Sequence, residues 1–180
     1  MSAPRRVVRG ISGAMSASFP IRSAADLMDA EFLAKWTDRG AISAGARTAL
    51  REILDRLVAD GRPVDASTLA ANPAAVDELD TRDLVYVSGG RVVLAYPWSG
   101  TPTAFVTVLA DGRERWACCA IDALGIPALL GQTVTVRTGC HHCDERFELT
   151  VTPEGPAADA GVMAWIGERG DLRGKACTAL

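Results

Sequence analysis

The chain has 180 residues, 48% of them hydrophobic and 23% charged, with a formal net charge of −3. Length and apolar content suffice for a real core, in one domain or two small ones, without disulfide staples. The mild negative charge does not supply the basic field that non-specific nucleic-acid binding relies on, and no run approaches the roughly 18 apolar residues of a membrane span, so neither partner is expected.

The basic, serine-bearing stretch before Asp26 lacks the features of a secretory signal. Residues 1–22 are expected to be a loosely ordered terminus, and the protein to be cytoplasmic. From Ser23 to Trp36, the residues Leu27, Met28, Phe32, Leu33 and Trp36 recur at helical spacing, with Gly40 just beyond. A second helix is predicted from Ser43 to Ala59, with Ala46, Leu50, Ile53, Leu54 and Leu57 on one face and Gly61 closing it. Asp65 to Ala71 reads as a short capped helix, and Pro73 to Leu79 as the start of another. Leu84 to Val87 and Arg91 to Tyr96 form a hairpin about Gly89-Gly90.

Helix, short helix, helix and two-stranded wing is the order of a winged helix-turn-helix, predicted over residues 23–96. Its candidate recognition stretch, Ala74 to Thr81, carries Asp77, Glu78 and Asp80 and no basic residue before Arg82. A phosphate backbone would be repelled there, so a structural or partner-facing use is expected. The turn residues Pro97 to Pro102 mark a linker, with a boundary near residue 97 and Trp98 placed to pack the halves together. Beyond it the pattern changes to strands at Ala104 to Leu109, Thr133 to Arg137, Phe147 to Thr152 and Gly161 to Ile166, around one apolar helix. Arg113, Glu114 and Arg115 read as a solvated turn leading into that helix. The fold class is therefore α+β, with a thiol-bearing second domain over residues 97–180.

Five cysteines fall at Cys118, Cys119, Cys140, Cys143 and Cys177. Without export signals, an odd set of this kind points to metal binding or thiol chemistry rather than a disulfide framework. If the segment from Trp116 is helical at its start, Cys119 and Asp122 lie one turn apart on the same face. A thiolate is a nucleophile and a soft-metal ligand, and a carboxyl group flanked by Ile121, Leu124 and Ile126 has its charged form disfavoured. On spacing alone the alternative stays open that the cysteines are small buried hydrophobes and Asp122 a solvated helix residue. Cys140-His141-His142-Cys143 reads either as half of a zinc knuckle, completed by Cys177 or a second chain, or as a plain turn before the strand at Phe147.

The stretch Trp116 to Gly131 resembles the alkylmercury (organomercurial) lyase family, together with Thr101-Pro102 and Phe105 before it and Gly139-Cys140 and Leu149 to Pro153 after it. The resemblance implies a winged-helix-like N-terminal domain and protonolysis of carbon–mercury bonds. It implies that Cys119 takes the mercury, that Asp122 passes a proton to the departing carbon, that Cys140 is structural, and that Cys177 is the second mercury-binding cysteine. The implied substrate is an organomercurial small molecule. The product is Hg(II) held by thiolates and passed to thiols or a mercury-accepting protein, with no cofactor required. Against the family's pattern this chain has a shortened C-terminus, Cys118 where an aromatic is usual, and the additional Cys140 to Cys143 motif. Two further readings are a soft-metal-binding or metal-sensing protein in which Cys118, Cys119, Cys140, Cys143 and Cys177 hold an ion without turnover, and a lyase-like enzyme acting on another carbon–heteroatom bond.

Overall fold

The computed structural model describes residues 30–157 and 162–164. The expected terminus at 1–22, Ser23 and Cys177 lie outside them. So do most of the expected strand at Gly161 to Ile166, whose described residues 162–164 are neither helix nor strand. The chain divides into two units after Thr37, and helix α1 (Ala30–Gly40) spans that division. The account below concerns the residues from Asp38 onward.

Helix α2 (Ala44–Asp60) starts where the sequence places it. Ser43 Oγ accepts the Ala46 N–H at 3.1 Å. Glu78 reaches across to take the Ser43 N–H at 2.8 Å and its hydroxyl at 2.7 Å, which holds the Glu78 carboxyl below its usual range. Gly61 ends the helix at φ 63°, its N–H returning to the Leu57 carbonyl. Ala46, Ala49, Ile53 and Leu57 are buried along one stripe.

Strand β1 (Val64–Asp65) leads into a single 3₁₀ turn, Ala66–Thr68, in place of the expected short helix; the Asp65 side chain caps it through the Ser67 N–H. Helix α3 (Pro73–Thr81) has Pro73 in its first turn and Asn72 as N-cap, and buries Ala75, Val76 and Leu79. Strands β2 (Val85–Ser88) and β3 (Arg91–Ala95) pair about Gly89 and Gly90, both at positive φ.

Beyond the hairpin lie β4 (Trp98–Ser99), β5 (Phe105–Val108), β6 (Glu114–Ala117), helix α4 (Ala120–Leu130), β7 (Val134–Gly139), β8 (Arg146–Thr152) and β9 (Gly155–Pro156). One antiparallel sheet runs in the order β1-β3-β4-β6-β5-β7-β8-β9, with β2 on the other edge of β3. The boundary expected near residue 97 therefore falls inside a continuous sheet: β4 pairs with β3 on one side and β6 on the other. Trp98, 1% exposed, joins a single apolar cluster that runs from Ile42 to Val151. The turn residues mark a tight corner between strands rather than a linker. Gly100 is required there, because a Cβ on it would lie 2.6 Å from the Pro63 nitrogen and 2.8 Å from the Arg62 carbonyl carbon.

The stretch Arg113 to Arg115 is likewise not a solvated turn. Arg115 lies in β6 and is 9% exposed. Its Nε donates to the Val58 carbonyl at 2.6 Å and its Nη2 to the Ala59 carbonyl at 2.5 Å, so the guanidinium caps the C-terminus of α2 from the sheet. Helix α2 packs over β1, β3 and β4, and α4 over β5 to β9.

Two substitutions test this frame by urea unfolding. Arg115→Met strands two helix-terminal carbonyls and is expected to cost on the order of 2–4 kcal/mol. Gly100→Ala forces backbone apart and is expected to cost about 1–3 kcal/mol. Unchanged midpoints in both variants would show that neither contact supports the fold.

Candidate active site

Strand β6 delivers the chain to the site. Trp116 is paired with Ser99 on one side and Val106 on the other, and Ala117 with Trp98 and Phe105, so both residues are committed to the ladder and cannot begin a helix. Helix α4 accordingly starts at Ala120, not near Trp116 as the sequence suggests. Two groups hold the strand's end. The Cys118 N–H donates to the Pro97 carbonyl at 3.0 Å, and Thr103 Oγ1 donates to the Ala117 carbonyl at 2.7 Å. Thr103 was not singled out by sequence reasoning; its signal is a small hydroxyl residue next to a proline just outside the strand.

Cys119 is the N-cap of α4, with extended φ −150° and ψ −178°. Its sulfur accepts the Asp122 N–H at 3.5 Å, and its S–H donates to Asp122 Oδ2 at 3.0 Å. The expected juxtaposition of thiol and carboxylate is present, but as a cap and the third helical residue rather than two residues of one helix. The geometry is that of a capping box in which sulfur replaces the usual oxygen. Ile121 is 52% exposed while Ile126 is fully buried, so the apolar residues flanking Asp122 in sequence point to opposite sides.

Burial pushes the Cys119 thiol up to about 11, aided by its bond to the Asp122 carboxyl and by that group's charge; the Asp122 and Ile121 N–H groups pull the other way. Burial likewise raises Asp122 above the ordinary aspartate range, partly offset by hydrogen bonds from Cys119. A helix N-terminus usually favours a thiolate. Here desolvation wins, and the resting cysteine keeps its proton beside a carboxylate placed to receive it.

Cys140 and Cys143 lie in the turn joining β7 and β8. The Cys140 N–H donates to the Glu145 carbonyl at 2.9 Å and the Asp144 N–H to the Cys140 carbonyl at 2.8 Å, with Asp144 at φ 56°. The nearby N–H groups of Cys143 and His142 and the Cys143 thiol hold the Cys140 thiol below its usual range. Among the described residues, no group of three or more His, Cys, Asp or Glu is placed to hold a metal ion. The two thiols are thus half of the four-ligand set that zinc requires. Cys118 and Cys119 lie in the bend between β6 and α4, and Cys177 lies outside the described residues.

Among the described residues no helix is long and apolar enough to cross a membrane. Residues 98–179 match the family model described as alkylmercury lyase. An alkylmercury lyase of Staphylococcus epidermidis is 33% identical over 104 residues, which cover 55% of this chain and 48% of that protein. One of Bacillus cereus is 31% identical over 121 residues, covering 67% of this chain and 51% of that protein. The chain thus spans about half the length of the curated relatives it matches. The mercury-bound crystal structure of MerB2 superposes with a TM-score of 0.57 at 25% identity, covering 69% of this chain and 64% of that one. Residues 98–179, which hold Cys119 and Asp122, are thus the part of this chain that is similar to the alkylmercury lyase family.

Proposed function

We propose that the protein cleaves carbon–mercury bonds, with Cys119 as nucleophile and Asp122 as proton carrier. The observation that carries this reading is the 3.0 Å thiol–carboxylate contact at the start of α4, within residues 98–179 that match the alkylmercury lyase family model. Mercury of R–Hg–X bonds to the Cys119 sulfur as the thiol proton moves to Asp122 and X departs. The carboxyl group, its acidity weakened by burial, keeps that proton until the C–Hg bond breaks, then gives it to carbon to release R–H. A second thiolate completes the coordination of Hg(II); Cys177 takes that part in this reading. Thiols or a mercury-accepting protein then remove the ion, as the thiol supply of a reducing cytoplasm would allow. The scheme uses no cofactor, because soft sulfur and one proton are all that the cleavage requires.

We further read α2, the 3₁₀ turn, α3 and the β1-β3-β2 strands as a winged-helix-like unit used for packing rather than for DNA. What supports this is that Glu78, on the would-be recognition helix, is engaged in capping α2.

With reduced protein, excess thiol and phenylmercury or methylmercury, hydrocarbon release is expected. Asp122→Asn is expected to slow it about 10²- to 10⁴-fold while mercury still binds, and Cys119→Ser to abolish release. Turnover surviving in Asp122→Asn would sink the assignment of the proton carrier.

The pH dependence of Cys119 alkylation is a second test. Because its thiol is raised, the rate is expected to climb towards a midpoint of about 11. Asp122→Asn removes a carboxylate that favours the protonated thiol, so the midpoint is expected to move down. A midpoint below 9.0, the ordinary thiol value, in the unsubstituted protein would contradict the buried-thiol reading.

A further inference from the structure

The register of the sheet relates the two cysteine groups. Val106 of β5 is level with Trp116 of β6 on one side and with Arg137 of β7 on the other. Both neighbours run antiparallel to β5, so β6 and β7 run in the same direction. Cys119 follows Trp116 by as many residues as Cys140 follows Arg137; the chain bends at Cys118 and Cys119, whereas Cys140 continues the β7–β8 ladder through its N–H to Glu145. β6 and β7 therefore end at the same end of the sheet, two strand spacings or on the order of 10 Å apart at Trp116 and Arg137, and Cys119 and Cys140 follow those strand ends. Among the described residues no three-ligand group joins the two cysteine groups.

The turn itself is built as a dithiol. Its closure by the Asp144 N–H and the Cys140 carbonyl, 2.8 Å apart, puts Cys140 and Cys143 in one tight turn. Cys143 is exposed and Cys140 half-buried, so one sulfur is anchored and the other is free to swing.

We propose that Cys140 and Cys143 form a two-thiolate clamp for Hg(II) beside the Cys119–Asp122 pair, at the same end of the sheet. The choice of ion rests on the carbon–mercury reading above. A four-ligand ion finds only half its set here, whereas Hg(II) is satisfied by two soft sulfurs. The ion arrives bound to two monothiolates. Each S–Hg bond is exchanged in turn: a protein sulfur bonds to mercury, and its proton leaves on the departing monothiol. The two protein sulfurs share one turn and so act as a chelate, with a high effective concentration for the second step.

The test uses inorganic Hg(II), which has no carbon to lose, so its outcome and that of hydrocarbon release are independent. The full chain carrying Cys118→Ser, Cys119→Ser and Cys177→Ser retains only the clamp thiols. It is expected to bind one Hg(II) per chain in excess monothiol, with the loss of both titratable thiols and the appearance of sulfur-to-mercury charge-transfer absorption. Adding Cys143→Ser, at an exposed position, is expected to weaken binding about 100-fold or more, with the folded circular-dichroism spectrum unchanged. No binding in the triple variant, one ion bridging two chains, or affinity indifferent to Cys143→Ser would each overturn the proposal.

Discussion

The Arg115 guanidinium ties helix to sheet in this structure. A helix C-terminus carries unsatisfied carbonyls and a partial negative charge, and a buried one must be answered. Arg115 answers it from within β6, bonding Val58 and Ala59 while lying against Gly61, whose left-handed conformation and missing side chain leave room for the guanidinium. The same strand leads, three residues on, into the cysteine pair. The contact that fixes α2 over the sheet therefore also fixes the height and direction at which the chain enters α4. On the other side of the strand's end, Thr103 and the Pro97 carbonyl hold Ala117 and Cys118. The position of Cys119 thus follows from hydrogen bonds to main-chain groups on both sides, none of which involves the reacting atoms.

At the site two electrostatic tendencies oppose each other. The first turn of a helix stabilises negative charge by typically 0.3–1 kcal/mol and would favour a thiolate. Partial burial and an adjacent carboxylate favour the thiol, and they prevail. The cysteine is therefore quiet towards ordinary electrophiles until a soft ion replaces its proton. The same burial raises the Asp122 carboxyl above the ordinary aspartate range, which suits the proton-carrying part proposed for it.

Much of this was legible in the residues. Ser43 and Gly61 bracket α2, the glycine pair marks the β2–β3 turn, and the spacing of Cys119 and Asp122 brings their side chains together. What the sequence obscured were places where tertiary pairing overrides local pattern. Trp116 and Ala117 continue smoothly into an apolar helical run, and only their ladders with β4 and β5 make them strand. Arg115 sits among charges and suggests solvent; its one signal is that it alternates with Ala117 on the buried face of β6. Gly100 and Trp98 look like linker residues because close backbone approach and hinge flexibility both call for glycine, and periodicity does not distinguish them. The part proposed for Cys177 rests on resemblance alone, since neither a helical nor a strand period relates it to Cys119.

Sulfur at the start of α4 is a poor cap. It lies 3.5 Å from the amide it serves, where a serine or aspartate oxygen would approach more closely and hold the helix more firmly. The helix thus begins at a weakness that only the chemistry of the residue explains. On the proposed reading, stability and activity are in conflict at this one atom: a redesign guided by folding free energy alone would replace the cysteine early, and with it the thiol on which the proposed cleavage depends.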